Sequence, residues 1–199
     1  MHILLKTLLQ EAIIDNNPNF KRWFKDILVE IIKEDRFDGD KYFSSEAVSH
    51  AARSTIGNES TNILIRMSPD DFLSMAQEIA PQYKEYSDSE AKKLQELMKS
   101  GVKMNGILFL AFVHDGQGTA YVTGHEGRHR ANALKNMKVQ GVPVLLISQK
   151  DKGQLIKWNQ QEDPSESGYF KQVWPTKLKG EDGRGTEIDF PVTWEAVTA

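Results

Sequence analysis

The sequence predicts a mixed α/β (α+β) fold, and three observations carry that expectation. Three apolar runs of strand length recur in the middle of the chain: Asn62-Ile-Leu-Ile-Arg-Met67, Gly106-Ile-Leu-Phe-Leu-Ala-Phe-Val113 and Val142-Pro-Val-Leu-Leu-Ile147. Runs this short and this apolar read as buried strands. Between them stand segments with helix-start chemistry, and a further strand passes into a helix through glycines at Gly124 and Gly127. Strands and helices in alternation must pack as layers around one core.

Taken in order, residues 3–16 place Leu4, Leu5, Leu8, Leu9, Ala12 and Ile13 on one helical stripe. Asn16-Asn-Pro-Asn19 breaks it, and a second amphipathic helix follows to about Lys33 on Phe20, Trp23, Phe24, Ile27, Leu28 and Ile31. This helical hairpin opens an N-terminal appendage, residues 1–60, with one short helix expected around 45–53. The main domain spans residues 61–150. After the first strand, Ser68 serves as N-cap and Pro69 as first helical residue, with the helix running to Pro81. Ser87-Asp-Ser-Glu90 is a capping-box pattern for the next helix, which Gly101 closes. The run 106–113 is a central strand, His114-Asp-Gly-Gln-Gly118 a hairpin turn, and 119–123 the returning strand. A helix to about Met137 and the strand at 142–147 complete the domain. Residues 151–199 form a short β-rich C-terminal extension packed on it, with a hairpin about Gly180-Glu-Asp-Gly-Arg-Gly185 and Trp174, Phe190 and Trp194 as core anchors.

The chain has 199 residues and a formal net charge of −3, which argues against a surface devoted to nucleic acid. It has no cysteine, so disulfides and thiolate metal sites are excluded, and a reducing cytoplasm fits. The apolar start carries Lys6, Glu11 and Asp15 and reads as an amphipathic helix, not an export signal. No stretch approaches the ~20 apolar residues of a membrane span.

The chemistry concentrates in Thr119-Ala-Tyr-Val-Thr-Gly-His-Glu-Gly-Arg-His-Arg-Ala131. A strand that reaches a helix through glycines presents free N–H groups at a positively polarised helix end. Gly124 and Gly127 let the backbone approach a phosphate, and Arg128 and Arg130 offer planar donors to its oxygens. His125 and His129 add further polar groups, and Glu126 can orient water beside a phosphate and a magnesium ion. The same residues spell His-Glu-x-x-His, a zinc-protease pattern. That pattern needs both histidines on one continuous helix, and the third ligand would have to be a carboxylate such as Glu162 or Glu166. The glycines favour the phosphate cradle.

The order of elements from Asn62 to Ser148 resembles the ParB N-terminal domain fold shared with sulfiredoxin. The matching pieces are 94–101, 107–113, 121–123, Glu126-Gly-Arg-His-Arg-Ala131 and Val142-Pro-Val144. The Gly-His-Glu-Gly-Arg-His-Arg-Ala version is similar to the branch found in large phage and mobile-element proteins. The resemblance implies a small mixed sheet with flanking helices, a bound nucleoside triphosphate (ATP or CTP) with magnesium as an accompanying ion, and phosphoanhydride hydrolysis in several relatives. It places Glu126 on the family's hydrolytic glutamate, and Arg128 and Arg130 on its second and third arginines. The first arginine is replaced by Gly127, and the family glycine falls on His125. Asn159 lies in a segment with a faint likeness to the one that follows the closing strand in ParB proteins.

Two other functions stay open on the sequence. One is a metal-dependent DNA nuclease built on Glu126, with DNA as partner, although no Lys/Arg cluster with interleaved aromatics is present to grip it. The other is a non-enzymatic protein, a homo-oligomer or a partner-binding module, acting through the helices at residues 3–33.

Overall fold

The computed structural model describes residues 39–48, 62–149, 157–159, 171–183 and 186–192. The helical hairpin expected over residues 3–33, the sequences around Glu162 and Glu166, and Trp194 lie outside these. Of the short helix expected around 45–53, residues 45–48 are helical and the rest lies outside the described residues.

The protein is mixed α/β. A six-stranded sheet is built from β1 (Asn62–Met67), β2 (Leu108–His114), β3 (Thr119–Glu126), β4 (Val142–Ser148), β7 (Lys177–Lys179) and β8 (Glu187–Asp189) in the order β1-β4-β2-β3-β7-β8. It is a mixed sheet: β2 runs parallel to β4 and β3 to β7, and the other neighbours are antiparallel. Accompanying it are α1 (Pro69–Met75), α2 (Lys84–Lys99) and α3 (Arg128–Asn136). The strands β5 (Lys157–Asn159) and β6 (Lys171–Val173) pair in a separate two-stranded sheet. The C-terminal hairpin is thus part of the main sheet, joined to it where Leu178 of β7 pairs with Ala120 of β3.

The apolar runs become strands as the sheet is covered, on both faces in β4 and fully on one face in β2. In β4, Val142, Val144, Leu145 and Leu146 are all buried, and β2 buries Leu108, Leu110 and Phe112. Phe72 and Met75 of α1 and Ala131, Ala133 and Leu134 of α3 fill the same core. Phe190 packs edge-on against both Phe112 and Trp174, and the Trp174 indole N–H donates to the Val192 carbonyl at 2.9 Å. That amphipathic ring is anchored at its polar end and partly buried along its apolar body, the usual compromise for tryptophan.

Two helix boundaries depart from the sequence reading. Ser68 caps α1 as expected, its Oγ accepting from the Asp71 N–H at 3.0 Å, but the helix stops at Met75, where Ala76 turns extended. The backbone of Gln77 is used in tertiary contacts instead. The second helix does not begin at Ser87. A 3-10 turn at Pro81–Tyr83 leads directly into α2 at Lys84, so Ser87 lies buried inside the helix. Pro81 starts this turn because a missing N–H costs nothing at the first helical positions. The end of α2 is as expected: Gly101 N–H donates to Met98 and Val102 N–H to Leu97, which satisfies the last carbonyls.

Candidate functional site

Gly124, His125 and Glu126 are strand residues and not part of a turn, a correction to the sequence reading. Pairing with β2 carries β3 past Thr123: Gly124 sits opposite Ala111, His125 opposite Leu110 and Glu126 opposite Phe109. The register shifts between Ala111 and Phe112, leaving Thr123 as the extra residue of a bulge. Bulges bend a strand and re-aim its side chains. The whole turn into α3 is therefore made by Gly127. Its φ of 105° lies in the left-handed region, and a Cβ there would sit 3.0 Å from Leu108 Cγ and 3.2 Å from Leu108 Cα. No side chain caps α3, so its first-turn N–H groups lack the cap that usually satisfies them.

Residues 125–130 line a cleft of about 220 Å³ together with Leu94 of α2 and Met104 and Asn105 from the loop before β2. That loop lies beside the motif because β2 and β3 are antiparallel, so the start of one meets the end of the other. Each arginine is held by its terminal nitrogens and carries a spare donor. Arg128 Nη1 donates to the Gln77 carbonyl. Arg130 Nη2 donates to Glu126 Oε1 at 3.0 Å and to the Ile107 carbonyl at 3.4 Å. Among the described residues, Nε of Arg128 and Nε of Arg130 are buried with no hydrogen-bond partner. Burial lowers the pKa of Arg128 from its ordinary value, against the opposing pull of Glu78 and Glu181. The guanidinium still stays charged at any physiological pH.

His125 lines the same cleft and is held from another direction. Its Nδ1 lies 2.8 Å from Glu181 Oε2, and that oxygen also accepts the Gln77 N–H at 3.2 Å. Glu181 belongs to the 3-10 turn Glu181–Gly183, between β7 and β8. Sequence reasoning missed it: the pair is 56 residues apart, and an acid in a glycine-rich turn carries no signal of its own. Gln77 was missed for another reason, since its backbone and not its side chain takes part. His129 stands in the first turn of α3, where Tyr86 of α2 meets its ring edge-on at 6.1 Å between centroids.

The structure thus brings the sequence-derived set together around one cleft, with Gly124 set back in the strand. His125 on a strand and His129 on a helix are not the two ligands of a continuous zinc-protease helix. Among the described residues there is no group of three or more His, Cys, Asp or Glu placed to hold a metal. Asn159 falls on β5, in the separate two-stranded sheet. Among the described residues no helix is long and apolar enough to cross a membrane. No family model, curated protein or solved structure matches the chain.

Proposed function

We propose that the protein binds a nucleoside triphosphate, ATP or CTP with its magnesium ion, by holding the phosphates at the turn formed by residues 127–130. The observation that carries this reading is the cleft at the uncapped N-terminus of α3, lined by both Arg128 and Arg130. A phosphate there would meet the helix N–H groups and the planar donors of the arginines. The order of strands and helices between β1 and β4 is consistent with a ParB/sulfiredoxin-like domain, whose members include nucleotide hydrolases. On that reading Glu126, beside Arg130, orients the attacking water. A phage or mobile-element protein working in the cytoplasm of its host is the setting the motif suggests.

Titration with fluorescent ATP and CTP tests the proposal. Binding by the wild type should weaken roughly 10- to 100-fold in Arg128→Ala, the worth of one charge-assisted hydrogen bond. No binding of either nucleotide, with melting temperature unchanged by both, would overturn it.

A further inference from the structure

Beside the arginines, His125 and Glu181 form a pair whose parts have separate roles. The His125 Nδ1 faces a carboxylate at 2.8 Å, and both side chains are mostly buried, with 18% and 17% of their surface exposed. A carboxylate that accepts from Nδ1–H keeps the neutral ring in the tautomer whose lone pair lies on Nε2. Among the described residues His125 Nε2 has no hydrogen-bond partner, and His125 lines the cleft. The carboxylate is itself fixed, because Glu181 Oε2 also accepts the Gln77 N–H. The carbonyl of the same residue accepts from Arg128. One stretch of backbone, freed by the early end of α1, therefore positions both the anion-binding arginine and the carboxylate behind the histidine.

We infer that His125 is a general base for hydrolysis of the bound nucleotide and that Glu181 is its positioning residue. The inference rests on the phosphate reading of the cleft. In the step it describes, a water oxygen bonds to the terminal phosphorus while the bond from that phosphorus to the bridging oxygen breaks. The electron pair of the broken bond leaves with the nucleoside diphosphate. The proton of the water passes to His125 Nε2, and the resulting imidazolium is stabilised by Glu181 until it returns the proton to solvent. The products are a nucleoside diphosphate and orthophosphate. The charged groups around His125 are Glu181 from the 3-10 turn, Arg128 with Glu78 beside it, and Glu126 and His129 along the chain.

The test is phosphate release from ATP and CTP by the full chain between pH 5 and 9, with nucleotide binding measured separately. The wild-type rate should rise with pH through one ionisation. His125→Gln should bind nucleotide within about threefold of wild type and release phosphate ~100-fold more slowly, the scale of a lost general base. Glu181→Gln should slow release by at least roughly tenfold and move the ionisation to lower pH, since the imidazolium loses its counter-charge. A purely structural latch would not shift that profile. Should either variant fail to fold, ¹⁵N NMR of the wild type decides: a neutral His125 protonated on Nε2 would overturn the inference, and one protonated on Nδ1 would support it. Release unchanged in a folded His125→Gln, or wild type that binds nucleotide without hydrolysing it, would also overturn it while leaving the binding reading intact. Wild type that binds no nucleotide at any pH would overturn both.

Discussion

At the hairpin end of β3 the buried His114 ring accepts the Gly116 N–H at 2.9 Å, and Asp115 Oδ1 accepts from Gln117 at 2.7 Å and Thr119 at 3.0 Å. The Gly118 carbonyl there takes the N–H groups of Thr176 and Lys177. At the helix end of the same strand, two arginine Nε groups are buried without partners and the helix that follows has no cap. One end is tied by hydrogen bonds to its own turn and to the C-terminal hairpin, and the other gathers charged donors at a cleft. Native structures satisfy most of their buried polar groups, so charged donors without partners beside a cleft mark a candidate site.

The largest expected effect comes from breaking the backbone at each end. Gly118 and Gly127 have nearly the same φ, 106° and 105°, so a side chain at either incurs similar backbone strain. Their surroundings differ. A Cβ at Gly118 would meet only Thr176 Oγ1, at 3.6 Å, whereas one at Gly127 would press on Leu108, backbone included. Gly118→Val should therefore cost roughly 1–3 kcal/mol from conformation alone, and Gly127→Val about 1–3 kcal/mol more from overpacking. Urea unfolding of the two variants measures the difference. Equal losses would show that Leu108 yields and that the glycine is not fixed by its packing.

The contrast between the two ends also separates what was legible in the sequence from what was not. Strands β1, β2 and β4 were legible because their apolar runs are local, and so was the Ser68-Pro69 start of α1, whose cap lies three residues away. The extension of β3 over Gly124, His125 and Glu126 was not, since it depends on pairing with Phe109 and Leu110 across the sheet. Ser87 misled because a capping pattern says where a helix can begin, and Pro81 had already begun one. The arginines and Glu126 of the site could be read from a contiguous motif. Glu181 and the backbone of Gln77 could not, because tertiary folding brings them to His125 and Arg128 from distant segments.

A smaller effect belongs to Asp115. Burial works to raise the pKa of its carboxyl group, but the N–H groups of Gln117 and Thr119, with His114, outweigh it and hold the pKa below the ordinary value. A carboxylate with a lowered folded pKa contributes stability above its unfolded pKa of ~3.9 and loses it as pH falls through the folded value. Asp115→Ala should cost about 1 kcal/mol at neutral pH through the lost backbone bonds. The gap between variant and wild type should close below about pH 4, as read by urea midpoints at a series of pH values. Nucleotide affinity should not change, because Asp115 lies at the opposite end of β3 from the cleft. A variant that bound nucleotide more weakly would break the contrast.

The smallest effect on stability should come from Glu126, and it sharpens the contrast most. Its side chain is 63% exposed, and its bond to Arg130 reaches from the end of β3 into the first turn of α3. Exposed ion pairs contribute roughly 0–1 kcal/mol. Glu181 is mostly buried and accepts from two elements at once. Glu126→Gln should therefore leave unfolding within about 0.5 kcal/mol of wild type. Removing its charge also frees Arg130 for phosphate, so nucleotide affinity should hold or rise. On phosphate release the two carboxylates can be ranked directly. Glu126→Gln should slow turnover less than Glu181→Gln if the proton leaves through His125. The reverse ranking would route the attacking water through the exposed glutamate, where the family resemblance puts it, and leave His125 and Glu181 as a tie between β3 and the C-terminal hairpin.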